Sequence, residues 1–492
     1  MPLRHLTPRD QHLFWQYGRG PSAPVHEPLV HRAIERHAIA HPHAVAAEHH
    51  GATLTYGELD RYAGALAAHL VREGVRPGDH VGLFARRSIP TLVGLLAVLK
   101  AGAAYVPQDI GRTPPERLGH VLRTARTRVI LTQKEHAPRI PLPDGHRLIA
   151  LDDPVPYQRA TMIVPPHPDD GCHVLFTADT SSGRPEGVKV SHRNVTNLLL
   201  TEPGGLGIRP GDRVAQLLGI ASGPAAWEIL GCLTRGATLV IRGADPAAAA
   251  GTATVLIATP AVLSGIDPAA CPRLRAVAVA GESGPPRPLA DHWSRQAALF
   301  DCRGPAEATV VSTMGRHDPA AGRPAVGRPV ANTTVYVLDA DRRPLPVGEM
   351  GEVWAGGDCV PAGHPGDGTR NAGRYAPDPF LGAGRVMVRT GALGRWTSDG
   401  GLEHLGRAAE VRADTPAFHP RTTGGRPHHP ATTSAAATAT TSATATATTS
   451  ATATAATPVA ATAATSAAAT AATSAAATAG AAAAYAEAAQ RS

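Results

Sequence analysis

Several things are scarce in this chain. Aromatic residues make up 4% of its 492 positions, and no run of five or more Lys and Arg occurs. Lys plus Arg number 47 and Asp plus Glu number 40, which leaves a net charge of +7. So small a surplus, without rings to stack on bases, excludes a nucleic-acid footprint and reads as solubility. The five cysteines (Cys172, Cys232, Cys271, Cys302 and Cys359) are dispersed and odd in number. That spacing argues against a disulfide framework and against a zinc pair, and it predicts buried free thiols. The longest apolar run, Leu92–Leu99, falls far short of the ~20 residues that cross a bilayer. Met1–His5 leads into polar residues and lacks the apolar stretch of a signal peptide. A cytoplasmic protein with no membrane partner is the expectation. Neither a G-x-x-x-x-G-K-[ST] loop nor a G-x-S-x-G elbow is present. His41, His43, His49 and His50 have no Cys nearby and only Glu48 as an acid, so they read as solvated surface.

The C-terminal stretch lacks even more. From Ala431 to Ala484 only Pro458, Val459 and Gly480 interrupt Ala, Thr and Ser. Such a segment cannot bury enough apolar area to offset its ordering entropy. Residues 413–492 are therefore expected to form a low-complexity, disordered tail, and residues 1–24, mixed in Pro, Gly and charge, a linker.

What lies between is well patterned. Thr55 and Glu58 have capping-box spacing ahead of Leu59, Ala63, Leu66 and Leu70, which recur at helical intervals. Ser88 can cap a second helix through Leu92, Leu95, Leu96 and Leu99. Val81–Ala85, Ala103–Val106, Val129–Thr132, Val214–Leu218, Thr238–Ile241, Val255–Ala258 and Ala276–Ala280 read as short strands with helices between them. Alternation of this kind predicts α/β architecture, with parallel sheets that carry helices on both faces. After about residue 325 the helices stop. Thr334–Leu338, Glu349–Trp354 and Arg385–Arg389 read as strands, and Asp399-Gly400 as a hairpin turn. A smaller β unit over 325–412 is expected.

The segment with most chemistry in it runs VLFTADTSSGRPEGVKVSHRN from Val174 to Asn194. An apolar strand opens into Thr177, Thr180, Ser181, Ser182 and Gly183, hydroxyl and backbone donors suited to phosphate oxygens. Around it stand LTYGEL from Leu54, LKAGAAYVPQD from Leu99, GPAEAT from Gly304, GEV from Gly351, RTG from Arg389 and Gly406-Arg407. In order and spacing, over about residues 25 to 412, the set resembles the adenylate-forming enzymes, in particular the amino-acid adenylation domains of non-ribosomal peptide synthetases.

The resemblance implies two parallel-sheet α/β subdomains over residues 25–324, a small β-barrel subdomain over 325–412, and a two-step activation. A carboxylic or amino acid attacks the α-phosphate of Mg-ATP to give an acyl-adenylate and pyrophosphate, and the acyl group then passes to a phosphopantetheine carrier protein. It implies ATP contacts from Thr177, Thr180, Ser181, Ser182, Gly183, Gly281, Glu282, Gly304 and Arg407. Glu307 would be the catalytic Mg²⁺ ligand. Gly223, Pro224, Trp227, Ala278, Ala280, Cys302, Val310 and Val311 would line the acid pocket.

The departures from the family pattern are just as specific. The phosphate loop is one residue longer than the family's, with Asp179 near a family Gly and Glu186 at a family Lys. Ala306 replaces a Thr on the α-phosphate, Arg303 a Tyr beside adenine, Ala392 the ribose Asp, and Ala409 the hinge Asp. Gly223 stands where the family pairs an Asp with the substrate ammonium, so an acid without a free α-amino group is expected. Past Glu410 the pattern decays where the family has a mobile domain with a catalytic Lys. The resemblance therefore implies an impaired ligase or, alternatively, an inactive remnant acting as a binding module.

Overall fold

The computed structural model describes residues 3–153, 166–177, 185–281, 284–320, 327–361, 374–382 and 384–407. The expected tail, residues 413–492, lies outside them, as does Ala409. The helices that matter here are α1 (Pro8–Gly18), α2 (Val30–Ala40), α3 (Tyr56–Arg72), α4 (Ile89–Lys100), α5 (Pro115–Ala125), α6 (His192–Leu200) and α7 (Gly223–Thr234).

Local sequence starts α3 and α4 as anticipated. The Thr55 hydroxyl accepts the Glu58 N–H at 3.2 Å, and the Glu58 carboxylate accepts the Thr55 N–H at 2.9 Å. Ser88 caps α4 by accepting the Thr91 N–H at 3.3 Å. Each such cap stabilises by about 1 kcal/mol. Burial contributes more, because Leu59, Leu66, Leu70, Leu92, Leu96 and Leu99 are essentially inaccessible, and a fully buried leucine contributes ~1.5–3 kcal/mol.

These helices lie between two sheets. The first has six strands in the order Arg147–Ala150, Val129–Thr132, His80–Ala85, Ala104–Asp109, Gly171–Thr177 and Glu186–Ser191, parallel except for the last pair. The second has nine strands. Its parallel centre runs Ala298–Arg303, Ala276–Ala280, Val255–Ala258, Arg213–Gln216, Thr238–Ile241 and Val45–His49, and antiparallel strands close both edges. One apolar cluster takes Val81, Leu83 and Leu131 from the first sheet, Val214, Leu239 and Ile257 from the second, and the leucines of α3 and α4 between them.

The third sheet is antiparallel and five-stranded, as the loss of helical period predicts. Its long strand, Val386–Trp396, pairs with Gly351–Gly357, Tyr375–Pro377 and Leu402–Arg407. Register shifts on both of its edges bend the strand and curl the sheet.

The N-terminal expectation needs correcting. Residues 8–18 are not linker but helix, capped where the Thr7 hydroxyl accepts the Asp10 N–H. Phe14 stacks on Tyr336 with centroids 5.5 Å apart and meets Phe380 at 5.0 Å. Tyr17 packs on Trp396 and donates its O–H to the Ser398 carbonyl at 2.8 Å. These aromatic contacts bury the helix face, and that burial outweighs the local Pro, Gly and charge. The surface reading of the histidines also fails at His49, which lies buried on the strand Val45–His49. All five cysteines are free and buried. No helix among the described residues is long and apolar enough to cross a membrane.

Candidate functional site

Glu307 sits on the short turn Ala306–Ala308, just after the strand Ala298–Arg303 of the second sheet. The next two residues, Thr309 and Val310, have φ of 51° and 71°. Left-handed backbone costs a β-branched residue about 1–2 kcal/mol, so the surrounding contacts must enforce it. They do. The Thr309 hydroxyl donates to the Cys359 carbonyl at 2.7 Å, and the Ser312 N–H returns to the Arg303 carbonyl at 2.7 Å. Gly304 is needed for this fold-back, since a Cβ there would lie 2.7 Å from the Ser312 nitrogen. Ala308 packs with Ala355, Cys359 and Val388, which ties the turn to the third sheet.

Glu307 is buried, and its carboxylate is ion-paired with the Arg374 guanidinium. Arg374 immediately precedes the strand Tyr375–Pro377. Burial, and then the charge of Glu307, push the Tyr375 hydroxyl well above its ordinary range.

The other candidates divide into groups. Thr177 ends the strand Gly171–Thr177, and Glu186 stands opposite it in the antiparallel register, so the two bracket the phosphate loop. Thr180, Ser181, Ser182 and Gly183 lie outside the described residues, as do Asp179 and Glu282. Gly281 closes the strand Ala276–Ala280 with φ of 145°. Arg407 and Ala392 are direct partners between adjacent strands of the third sheet, so the cation and the residue that the resemblance sets at the ribose are brought side by side. Arg303 forks onto Asp301 of its own strand, at 2.8 and 3.3 Å. Its guanidinium lies against Gly284, where a Cβ would clash with it. Burial, followed by the charge of Arg303, lowers His404 to about 4.

Of the pocket residues, Gly223 and Val310 face each other. A Cβ on Gly223 would lie 3.0 Å from Val310 Cγ2. Gly223 and Pro224 begin α7, whose cap is Ser222. Ala280 and Cys302 are register partners on neighbouring strands, and Ala278 lies farther along the same strand as Ala280. Ala278, Ala280, Cys302 and Val311 are all buried. Trp227 belongs to the main core, with its indole N–H donated to the Gly204 carbonyl at 3.0 Å. Glu228 is wholly buried and accepts the Leu217 and Leu218 N–H groups at 2.9 and 3.2 Å, while burial pushes its carboxyl upward. Two surface clefts, of 370 and 210 Å³, share no residue with the Glu307 turn.

Glu307 is the residue that the resemblance implies for Mg²⁺. Magnesium is commonly bound by one or two carboxylates together with substrate phosphates. The single carboxylate offered here is already neutralised by Arg374, and no group of three or more His, Cys, Asp and Glu among the described residues is arranged for a metal ion. As folded, these residues do not fit a resident magnesium.

Comparison with known proteins decides the lineage. The pattern of the family described as AMP-binding enzyme matches residues 34–363. The chain belongs to the AMP-binding enzyme family. Adenylate-forming reductase 06235 of Coprinopsis cinerea is 40% identical over 417 residues, covering 82% of this chain and 40% of that protein. This chain thus spans about two fifths of the length of that relative. Among solved structures, the AMPPNP-bound nonribosomal peptide synthetase FmoA3 superposes with a TM-score of 0.74 and 29% identity, covering 83% of this chain and 46% of that one. The N-terminal subdomain of Klebsiella oxytoca NpsA, in complex with 3-hydroxybenzoyl-AMSN, superposes at 0.71 with 25% identity, over 78% of this chain and 100% of that one. These AMP-binding relatives carry the same layered sheets. The Glu307–Arg374 pair, 67 positions apart, had no signature in a single sequence.

Proposed function

We propose that this chain is an acid-activating adenylation domain with a weakened hold on its nucleotide. A substrate carboxylate oxygen bonds to the α-phosphorus of ATP as the α–β anhydride breaks, and pyrophosphate leaves with the electron pair. The thiolate of a carrier-bound phosphopantetheine then attacks the acyl carbon and expels AMP, leaving a thioester. The observation that carries this reading is the match to the NpsA subdomain along its entire length, in a complex with an aryl-acyl ligand.

The pocket supports a carboxylic acid without an α-amino group. Gly223 offers no carboxylate where α7 begins, and Val310 packs against it. An ammonium buried there would lack a partner, and that is costly. The weakening follows mainly from Ala392 and Glu186, and the hydroxyl missing at Ala306 adds to it. Two lost charge-assisted contacts amount to roughly 3–6 kcal/mol, or ~10²–10⁴ in kcat/KM, with neighbouring losses adding less than fully.

A second reading, a nucleotide-responsive binding module without turnover, is favoured by the commitment of Glu307 to Arg374. ATP–pyrophosphate exchange over a panel of aryl, aliphatic and amino acids separates the two. Slow exchange dependent on acids lacking the α-amino group is expected. AMPPNP binding by calorimetry without any exchange would favour the binding module, and absence of both would sink the adenylating reading.

A further inference from the structure

Glu307 lies where its own turn on the second sheet meets the third sheet, through Ala308, Ala355 and Val388 and through Arg374, which directly precedes the third-sheet strand Tyr375–Pro377. Its side chain is 4% exposed, that of Arg374 39%. Thus the carboxylate is enclosed and the guanidinium reaches it from the solvent side. A carboxylate so placed without a counter-ion is strongly disfavoured.

We propose that Arg374 is a resident counter-ion that holds the cation position at Glu307, so that a divalent ion reaches this carboxylate only by displacing the guanidinium. Two kinds of cation compete for one enclosed oxygen pair. Magnesium gives up its water reluctantly, so the free ion loses to a forked, weakly hydrated guanidinium. An ion carried on a triphosphate differs, because the phosphates supply most of its ligands and also offer the freed guanidinium a bidentate partner. The resting site is therefore neutral without metal, and its metal affinity is conditional on what accompanies the ion. The proposal rests on the adenylating reading only in naming a nucleotide as that companion; the competition itself stands on the Glu307–Arg374 geometry.

The test uses Mn²⁺ without nucleotide, on the full chain and on Arg374→Gln, Glu307→Gln and the double variant. Thermal unfolding and electron paramagnetic resonance of bound Mn²⁺ are the readouts. Arg374→Gln is expected to melt several degrees below the parent and to regain about 2–4 °C in ~10 mM Mn²⁺. The parent, Glu307→Gln and the double variant should not respond. Mn²⁺ should bind Arg374→Gln about tenfold more tightly than the parent. An equal Mn²⁺ response in the parent, or none in Arg374→Gln, would overturn the proposal. Should Arg374→Gln not fold, Arg374→Lys keeps a charge but loses the fork. It should show a partial Mn²⁺ response, and no response would count against the idea. AMPPNP titrations are run separately. Their failure, with the Mn²⁺ pattern intact, would remove the adenylating reading and leave the counter-ion standing.

Discussion

Between the two large sheets, α3 and α4 present Leu59, Leu66, Leu92, Leu96 and Val98, all at 0–1% exposure. At the turn carrying Glu307 the materials are different. Asp301 is forked with Arg303, Glu307 is paired with Arg374, and Thr309 and Val310 are held in left-handed backbone. The interior gains from area removed from water, which is non-directional and tolerates hydrophobic substitution of similar volume. The turn depends on a few directed contacts, any of which can be exchanged without touching the core. That separation is how a chain can retain the layered scaffold of its family while the residues of such a turn vary. It also predicts that stability and ligand binding respond to different substitutions.

The largest expected effect lies in the interior. His31 and His192 meet edge-on with centroids 5.6 Å apart, and the Val30 N–H donates to His192 Nδ1 at 3.3 Å. Burial lowers His31, His192 and His173 to about 3. The nearby charge of Lys100 and Arg32 adds to this at His31, that of His31 at His192, and that of His192 at His173, while Asp170 opposes it at His192. A histidine whose folded pKa lies below its unfolded value of 6.5 takes up protons preferentially when unfolded. Its contribution is complete above about pH 6.5 and drains away as the pH falls toward 3. Each group can cost up to ~1.4 kcal/mol per pH unit in that window. Urea unfolding between pH 7.5 and 4.5 should show a steep fall, and His192→Asn should flatten it. A flat profile would mean that the interior is not held neutral.

Next comes Leu96→Ala on α4, expected to lose ~2–5 kcal/mol of unfolding free energy. AMPPNP affinity of the folded fraction should stay the same. If affinity drops in step with stability, the interior and the turn are mechanically coupled and the contrast fails.

Much of that interior was legible in the sequence, because its signals are local. The capping box at Thr55 and Glu58, the Ser88 cap, and the strands Thr238–Ile241, Val255–Ala258 and Ala276–Ala280 all stand where pattern placed them. The helix Pro8–Gly18 was not legible, since what fixes it is a sheet more than three hundred residues away in sequence, through Tyr336 and Trp396. The indole bond from Trp227 to the Gly204 carbonyl, 23 positions away, was likewise not legible. At the turn, the identities of Glu307 and Gly304 could be read, but the partner of Glu307 could not. Charge pairing across distant segments leaves no periodic trace.

A smaller effect is expected from Ala392→Asp. The new carboxylate would stand directly across from Arg407. One charge-assisted contact to a ribose hydroxyl is worth ~1.5–3 kcal/mol, so AMPPNP affinity by calorimetry should rise about tenfold or more. Unfolding free energy should fall by about 1 kcal/mol, because Ala392 is half-buried against the cluster of Tyr17, Val353 and Trp396. Unchanged affinity would remove the ribose from this position.

The smallest effect is expected from Val310→Gly, where the two regions touch. Val310 is half-buried against the main core and yet carries φ of 71°. Glycine would release about 1–2 kcal/mol of left-handed strain. It would also raise the entropy of the unfolded chain, at a cost of roughly 0.5–1 kcal/mol, and forfeit about 1 kcal/mol of side-chain burial. These terms nearly cancel, so denaturant unfolding should move by no more than ~0.5 kcal/mol. A loss above ~1.5 kcal/mol would make Val310 a core residue that happens to sit beside the site. A gain above ~1 kcal/mol would mean that strain at the turn is opposed by the contacts of Thr309 and Ser312 rather than by packing, and the boundary between the two regions would then fall at Gly304.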